Sequence, residues 1–219
     1  MTKPISDNGP SSRPKRSRPF DPALASGYPA VIGCDEVGRG ALCGPVVVAA
    51  VWFDPKLAPA ELLANLDDSK RLTLRQREKL SAVIMACARI AISARSSTRI
   101  DRYGIRTMTL DAMNRAIGRL GLDAKVCVDG LDVPPELQRN AIAVVRGDSQ
   151  VPQIAAASVV AKVFRDRLMA HLAIRYPHYG WEKNAGYGTA QHLAALRQHG
   201  ATPHHRRSFA PISEMAIPD

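Results

Sequence analysis

No apolar run in this chain of 219 residues is both long enough and free enough of charge to cross a bilayer, which argues against a membrane-spanning helix. Residues 1–27 also lack the apolar segment of a secretory signal, although with few acidic residues they leave a basic transit peptide open; the expectation is a cytoplasmic protein with no membrane partner. Cysteine is sparse: Cys34, Cys43, Cys87 and Cys127 lie singly in apolar segments, and no CxxC pair occurs. That argues against a zinc knuckle or a dithiol motif and predicts four small buried hydrophobes in a reducing cytosol. No internal repeat is found. Acidic residues are short as well, 20 against 30 Lys plus Arg, for a formal net charge of +10. The imbalance favours polyanionic partners through counterion release, but it does not choose among DNA, RNA and an acidic membrane, and a merely basic protein would show it too.

What is present is a core. Hydrophobic residues make up 46%, too many for a disordered chain, and the length suits one sizeable α/β body. Residues 1–27 differ, being rich in Pro, Ser and basic side chains with no hydrophobic period. Lys3, Arg13, Lys15, Arg16 and Arg18 against Asp7 and Asp21 give them +3 and leave +7 for the rest. They are read as a disordered basic arm, and residues 28–219 as a single folded domain. Two strand-like runs, 30–37 and 45–53, flank a glycine-rich turn. A helix fits 73–90, with Thr73 and Gln76 as a capping box and Leu80, Val83, Ile84 and Cys87 as its apolar stripe. Another fits 105–120, with Met113, Ala116, Ile117 and Leu120 inward. Residues 125–129 and 141–146 read as short buried strands. Pro152 starts a helix to about 175, with Ala157, Ala161, Phe164 and Leu168 as its core stripe and Ser158, Lys162 and Asp166 on a neighbouring face. Thr189 caps a last helix that Gly200 ends. The order predicts a mixed α/β layer fold.

Within the first strand stand two adjacent carboxylates, Asp35 and Glu36. Acids in a half-buried strand are costly unless paired, and a divalent cation is a common partner. Asp129 closes the run KVCVD, and Asp148 follows AVVRG, so four carboxylates stand at or near strand ends. Hard oxygen ligands suit Mg²⁺ or Mn²⁺ rather than Zn²⁺, and two such ions can drive an in-line phosphodiester displacement. Taken singly, Asp129 and Asp148 also read as turn residues. Strand alternation sends Asp35 and Glu36 to opposite faces, so a shared metal requires a bend, which Gly38 permits. Gly38-Arg39-Gly40 with Gly44 superficially matches a dinucleotide fingerprint, but Pro45 and Val46–Val48 announce a strand where that motif needs a helix. The turn instead suits close approach to a sugar or phosphate, with Arg39 beside it.

These residues resemble the ribonuclease HII family. The resemblance runs from about 30 to 212: DEVGRG at 35–40, DSKRL at 68–72, VDG at 128–130, GDS and IAAASVVAKVFRD within 147–166, GYGT at 186–189 and HRRSF at 205–209, in the family's order. It implies a ribonuclease H-like fold, a mixed central sheet flanked by helices with a C-terminal helical extension. It implies Asp35, Glu36, Asp129 and Asp148 as metal-binding catalytic carboxylates with Mg²⁺ or Mn²⁺. It also implies that the Gly38-Arg39-Gly40 backbone and Tyr187 read the 2′-hydroxyl of a ribonucleotide joined to a deoxyribonucleotide, the group that separates RNA from DNA.

Ser69 and Lys70 resemble the family's phosphate-contacting pair, or else form a helix-entry turn. Lys162 and Arg165 either contact the nucleic-acid backbone or brace the acids, and Asp166 pairs with one of them. Arg206 and Arg207 either touch phosphate or belong to a solvated tail, while His204 and His205 lack the spaced partners a metal site needs. The family often has lysine just before GYG; this chain has Ala185, with Lys183 two residues earlier as the substitute contact. The related ribonuclease HIII carries a substantial N-terminal domain, which the 27-residue arm does not match.

The expected activity is metal-dependent cleavage of RNA in RNA/DNA hybrids and 5′ of single ribonucleotides in duplex DNA, leaving 3′-hydroxyl and 5′-phosphate ends. A monomer suffices for this, and the segment after Phe209 lacks a clamp-binding pattern, so no replication or repair partner is named. The rivals are a non-catalytic hybrid-binding module, which a missing carboxylate would signal, and a small-molecule phosphatase, which needs no 2′-hydroxyl reader.

Overall fold

The computed structural model describes residues 31–66 and 72–215; the N-terminal arm and the Ser69–Lys70 pair lie outside the described residues. Its strands are β1 (Val31–Val37), β2 (Val46–Trp52), β3 (Arg89–Arg95), β4 (Lys125–Asp129) and β5 (Ala141–Val144). They form one sheet in the order β3-β2-β1-β4-β5. The expected hairpin is antiparallel, with Ile32 opposite Trp52 and Val37 opposite Val47. β4 joins β1 in parallel, and β5 joins β4 in parallel.

The helices are α1 (Ala60–Asn65), α2 (Leu74–Cys87), α3 (Ser97–Tyr103), α4 (Ile105–Leu120), α5 (Pro152–Arg175), α6 (Trp181–Asn184) and α7 (Ala190–His199). One core lies between the sheet and α1, α2 and α5, centred on Val47, Ala49, Val51, Ile84 and Val159. The other lies beneath α4, whose Met113, Ala116, Ile117 and Leu120 are buried as expected. A third cluster, with Trp181, Tyr179, Met169 and Leu196, fills the C-terminal helical part. α5 meets β1 at Gly33, where a Cβ would stand 2.0 Å from the Gln153 carbonyl carbon. That backbone-to-backbone seat fixes the long helix against the strand bearing Asp35 and Glu36.

Three expectations are corrected. The helix read over 73–90 stops at Cys87, and edge strand β3 follows, aligned on β2 with Val48 opposite Ser93. Cys87 is exposed at that helix end, while the other three cysteines are buried. On α5 the stripe steps wrongly after Ala161: Phe164 is 42% exposed, and the buried line runs Ala157, Ala161, Arg165, Met169, Ala173. The i, i+4 ladder is unbroken, with an arginine as one of its rungs. The Thr73–Gln76 capping box and the Thr189 cap both form.

Candidate active site

Parallel register pairs Cys34 with Val128, so Asp35 lies level with Asp129 at the end of β4. Asp35 is buried and its carboxylate accepts from Ser158 of α5. Its Oδ1 also accepts from the Glu36 N–H at 2.7 Å. Glu36 turns toward a small depression lined by Asp129, Met113, Arg106, Asp132 and Arg39. Strand alternation does separate the two neighbours, and Asp129 is the group that acts on both, its charge raising the pKa of each. Asp129 Oδ1 accepts from the Gly147 N–H at 2.7 Å. Gly147 opens the one-turn helix Gly147–Ser149, in which Asp148 sits half-buried. The carboxylates therefore come from β1, β4 and the turn after β5, at one end of three adjacent parallel strands.

Burial, then the charges of Glu36 and Asp129, hold the Asp35 carboxyl well above the usual carboxylate range. Burial raises Glu36 too, against the lowering pull of Arg39, whose Nη1 lies 3.3 Å from Glu36 Oε1. Among the described residues no three His, Cys, Asp or Glu side chains converge into a ready-made cation cage. The donor chemistry nonetheless fits a hard divalent ion: all-oxygen ligands, desolvated and mutually repelling, are the arrangement that added positive charge relieves. Sequence reasoning missed two neighbours of this site. One is Ser158, placed on a helix face but given no role. The other is the Arg106–Asp132 pair on the rim, bidentate at 3.0 and 2.8 Å.

Behind the glycine turn lie two buried arginines. Arg206 is fully buried and donates to the carbonyls of Gly38 (2.7 Å), Arg39 (2.7 Å) and Gly44 (3.1 and 3.0 Å). It belongs to no solvated tail. Arg165, read from the sequence as a phosphate contact or a brace of the acids, does neither. It is fully buried and donates to the carbonyls of Cys43 (2.9 Å), Pro45 (2.9 Å) and Ala185 (2.8 Å). Asp166 pairs instead with Lys162, at 2.6 Å, and with Arg77, at 3.6 Å. Gly38, at φ 87°, owes its identity to this packing, because a Cβ there would stand 2.2 Å from Arg165 Nε. Gly40 differs: a Cβ there would meet nothing within 4 Å, and its φ is not left-handed.

Tyr187 stands on the adjacent segment, 38% exposed, its ring 5.7 Å from the Arg165 guanidinium carbon. The Leu42 and Cys43 N–H groups donate to the Gly186 carbonyl at 2.9 and 3.2 Å, sewing this segment to the glycine turn. Ala185 is left-handed at φ 48°, and Lys183 is exposed on α6. His205 joins a buried web, not a metal site. The Thr202 N–H donates to its Nδ1 (2.9 Å), so His205 Nε2–H donates to His192 Nε2 (3.0 Å), which also accepts from Trp181 Nε1 (3.1 Å). His192 Nδ1–H is left to donate to the Tyr187 carbonyl at 2.9 Å. Both rings are neutral in this pattern, and burial pushes the His205 pKa down to about 3 and lowers that of His192.

Comparison with known proteins places the arrangement. The sequence profile of the Ribonuclease HII family matches residues 32–212. Ribonuclease HII of Paramagnetospirillum magneticum is 53% identical over 188 residues, 85% of this chain and 93% of the relative. The ribonuclease H2 structure from Pyrococcus horikoshii superposes with a TM-score of 0.72 at 26% identity, covering 84% of this chain and 96% of that one. The ribonuclease HII of the PCNA complex from Archaeoglobus fulgidus gives 0.71 at 27% identity, covering 82% and 94%. A profile match over most of the described sheet and helices, joined to half-identical relatives of nearly equal span, leaves one assignment: the chain belongs to the ribonuclease HII family.

Proposed function

We propose that this ribonuclease cuts the RNA strand of RNA/DNA hybrids and also cuts duplex DNA on the 5′ side of a single embedded ribonucleotide, leaving a 3′-hydroxyl and a 5′-phosphate. Asp35, Glu36, Asp129 and Asp148 would hold Mg²⁺ or Mn²⁺. When bound, the metal supplies Lewis-acid activation of the attacking water and neutralises charge at the leaving oxygen. The rest falls to the protein's own groups. The Gly38–Gly40 backbone meets the 2′-hydroxyl, with the open space over Gly40 admitting the sugar. Tyr187 offers an aromatic face to the adjoining deoxyribose and is backed by Arg165. Arg39, Lys162 and Lys183, together with Ser69 and Lys70, supply phosphate contacts; Lys162 would trade its bond to Asp166 for one.

The observation that carries this reading is continuity. Asp35 and Glu36 lie at the end of β1, and Gly38–Gly40 is the turn that leaves it. Two of the four proposed metal ligands and the proposed sugar reader thus share one short covalent segment, which would limit the distance between the scissile phosphate and the group that identifies RNA. The test is cleavage of three end-labelled duplexes: all DNA, one ribonucleotide in DNA, and RNA paired with DNA. The two RNA-containing duplexes should be cut with Mg²⁺ or Mn²⁺ and spared with EDTA. Equal cutting of all three would refute the 2′-hydroxyl reader, and binding without cutting would leave a hybrid-binding module.

A further inference from the structure

We infer that Arg206, with Arg165 beside it, is a positioning residue for ribonucleotide recognition: it sets the peptide planes of the glycine turn so that the Arg39 and Gly40 N–H groups face the substrate. The inference rests on the functional reading above. In a trans peptide the C=O and the N–H of the same plane point in opposite directions. Arg206 grips the Gly38 and Arg39 carbonyls from the protein interior, each at 2.7 Å. The N–H groups sharing those two planes belong to Arg39 and Gly40, and they are thereby aimed away from the interior. Among the described residues neither has an acceptor. Successive outward N–H groups of this kind form a concavity that receives an anionic or hydroxyl oxygen.

The choice of arginine follows. A planar guanidinium fork spreads five donors over fixed directions, so one side chain reaches three carbonyls; a lysine ammonium does not reproduce that pattern. Arg165 anchors the far side of the turn through Cys43 and Pro45 and crosses to Ala185, next to the Gly186–Tyr187 segment. Two full charges buried against neutral carbonyls are expensive for a fold that only needed filling. Burial lowers the pKa of Arg165 and brings that of Arg206 down to about 10. The expense is intelligible if the turn must hold one shape before substrate arrives.

The experiment compares wild type with Arg206→Lys and Arg206→Ala, at a temperature where all three are folded by circular dichroism. Cleavage is measured on a duplex with one ribonucleotide and on its 2′-fluoro analogue. Arg206→Lys is expected to lose about 100-fold in kcat/KM on the ribonucleotide, the scale of a lost preorganised donor, and much less on the analogue. Added guanidinium ion should partly restore Arg206→Ala, whereas methylammonium should not. In wild type, ¹⁵N spectra with EDTA should show the Arg39 and Gly40 amides shifting on adding the ribonucleotide duplex and not the all-DNA duplex. This arm needs no variant to fold. Retention of the ribose preference by Arg206→Lys would overturn the inference while leaving the functional reading intact. Unmoved Arg39 and Gly40 amides would overturn the inference together with the Gly38–Gly40 contact to the 2′-hydroxyl, leaving the metal-dependent cleavage standing. Loss of the preference in wild type itself would remove both.

Discussion

The carboxylate corner and the glycine turn are covalent neighbours with opposite electrostatics. Around Asp35, Glu36 and Asp129 the charges repel one another, burial raises the first two, and Arg39 is the cation that offsets Glu36. Around residues 38–45 the carbonyls are already neutralised from within by Arg206 and Arg165. The first region is a set of desolvated, mutually repelling carboxylates that added positive charge would relieve. The other is finished before any ligand arrives. One strand end thus carries, within a few residues, carboxylates whose charges repel and a turn whose carbonyls are already paired; on the proposed reading the first awaits a cation and the second reads the ribose in a fixed shape.

Breaking the carboxylate side should have the largest effect. Asp129→Asn keeps the size of the side chain and loses the charge shared by Asp35 and Glu36. Cleavage under saturating Mg²⁺ should fall at least about 1,000-fold, a barrier increase of roughly 4 kcal/mol, in single-turnover assays on the ribonucleotide duplex. Retained activity would remove Asp129 from the metal-binding set.

The finished side separates into two glycines. Gly38→Ala places a Cβ 2.2 Å from Arg165 Nε at φ 87°. It should cost about 2–3 kcal/mol in denaturant unfolding, combining left-handed strain with overpacking. Gly40→Ala meets nothing in the protein, so its stability should stay within about 1 kcal/mol of wild type while cleavage of the ribonucleotide duplex drops at least tenfold. Equal losses of stability in both variants would collapse the distinction.

Acid should loosen the reader from behind. The folded pKa of His205 is lowered to about 3 from an ordinary 6.5, and that of His192 is lowered as well. Depressed histidines give stability that is full above the unfolded pKa and is lost as pH falls through the window toward the folded one. The unfolding free energy should therefore decline between about pH 6.5 and 3 as unfolded His205 takes up a proton that the folded ring refuses, by up to about 1.4 kcal/mol per pH unit, and the lowered pKa of His192 acts in the same direction. His205→Asn should flatten that slope. The smallest effect belongs to the rim: exposed Lys183→Ala should weaken all duplexes alike and reduce the salt slope of binding by about 1.

Legibility followed periodicity and motif. The hairpin and α4 announced themselves by apolar patterning, α5 by Pro152 at its start and the first turns of its stripe, and the acids by their placement at strand ends. β3 did not, because Arg89–Arg95 is an edge strand with small residues and partial burial on both faces. Cys87 closes α2 on its exposed side, where an apolar stripe no longer has a core to meet. Arg165 broke the stripe on α5 because a sequence reader sends arginine to solvent, and only its carbonyl partners, 120 and 122 positions away, justify burying it. The same holds for Arg206, whose acceptors lie 162 to 168 positions upstream. A mark is visible in hindsight: Ala157, Ala161, Met169 and Ala173 leave a gap that only position 165 fills.

The most direct measurement is nucleotide-resolution mapping of the cut in a DNA duplex carrying one ribonucleotide, with Mg²⁺ or Mn²⁺. The account expects a single cut on the 5′ side of that residue, with a 3′-hydroxyl on the upstream fragment and no cut when the residue is 2′-deoxy. Cuts scattered along the strand, or persisting without the 2′-hydroxyl, would contradict it.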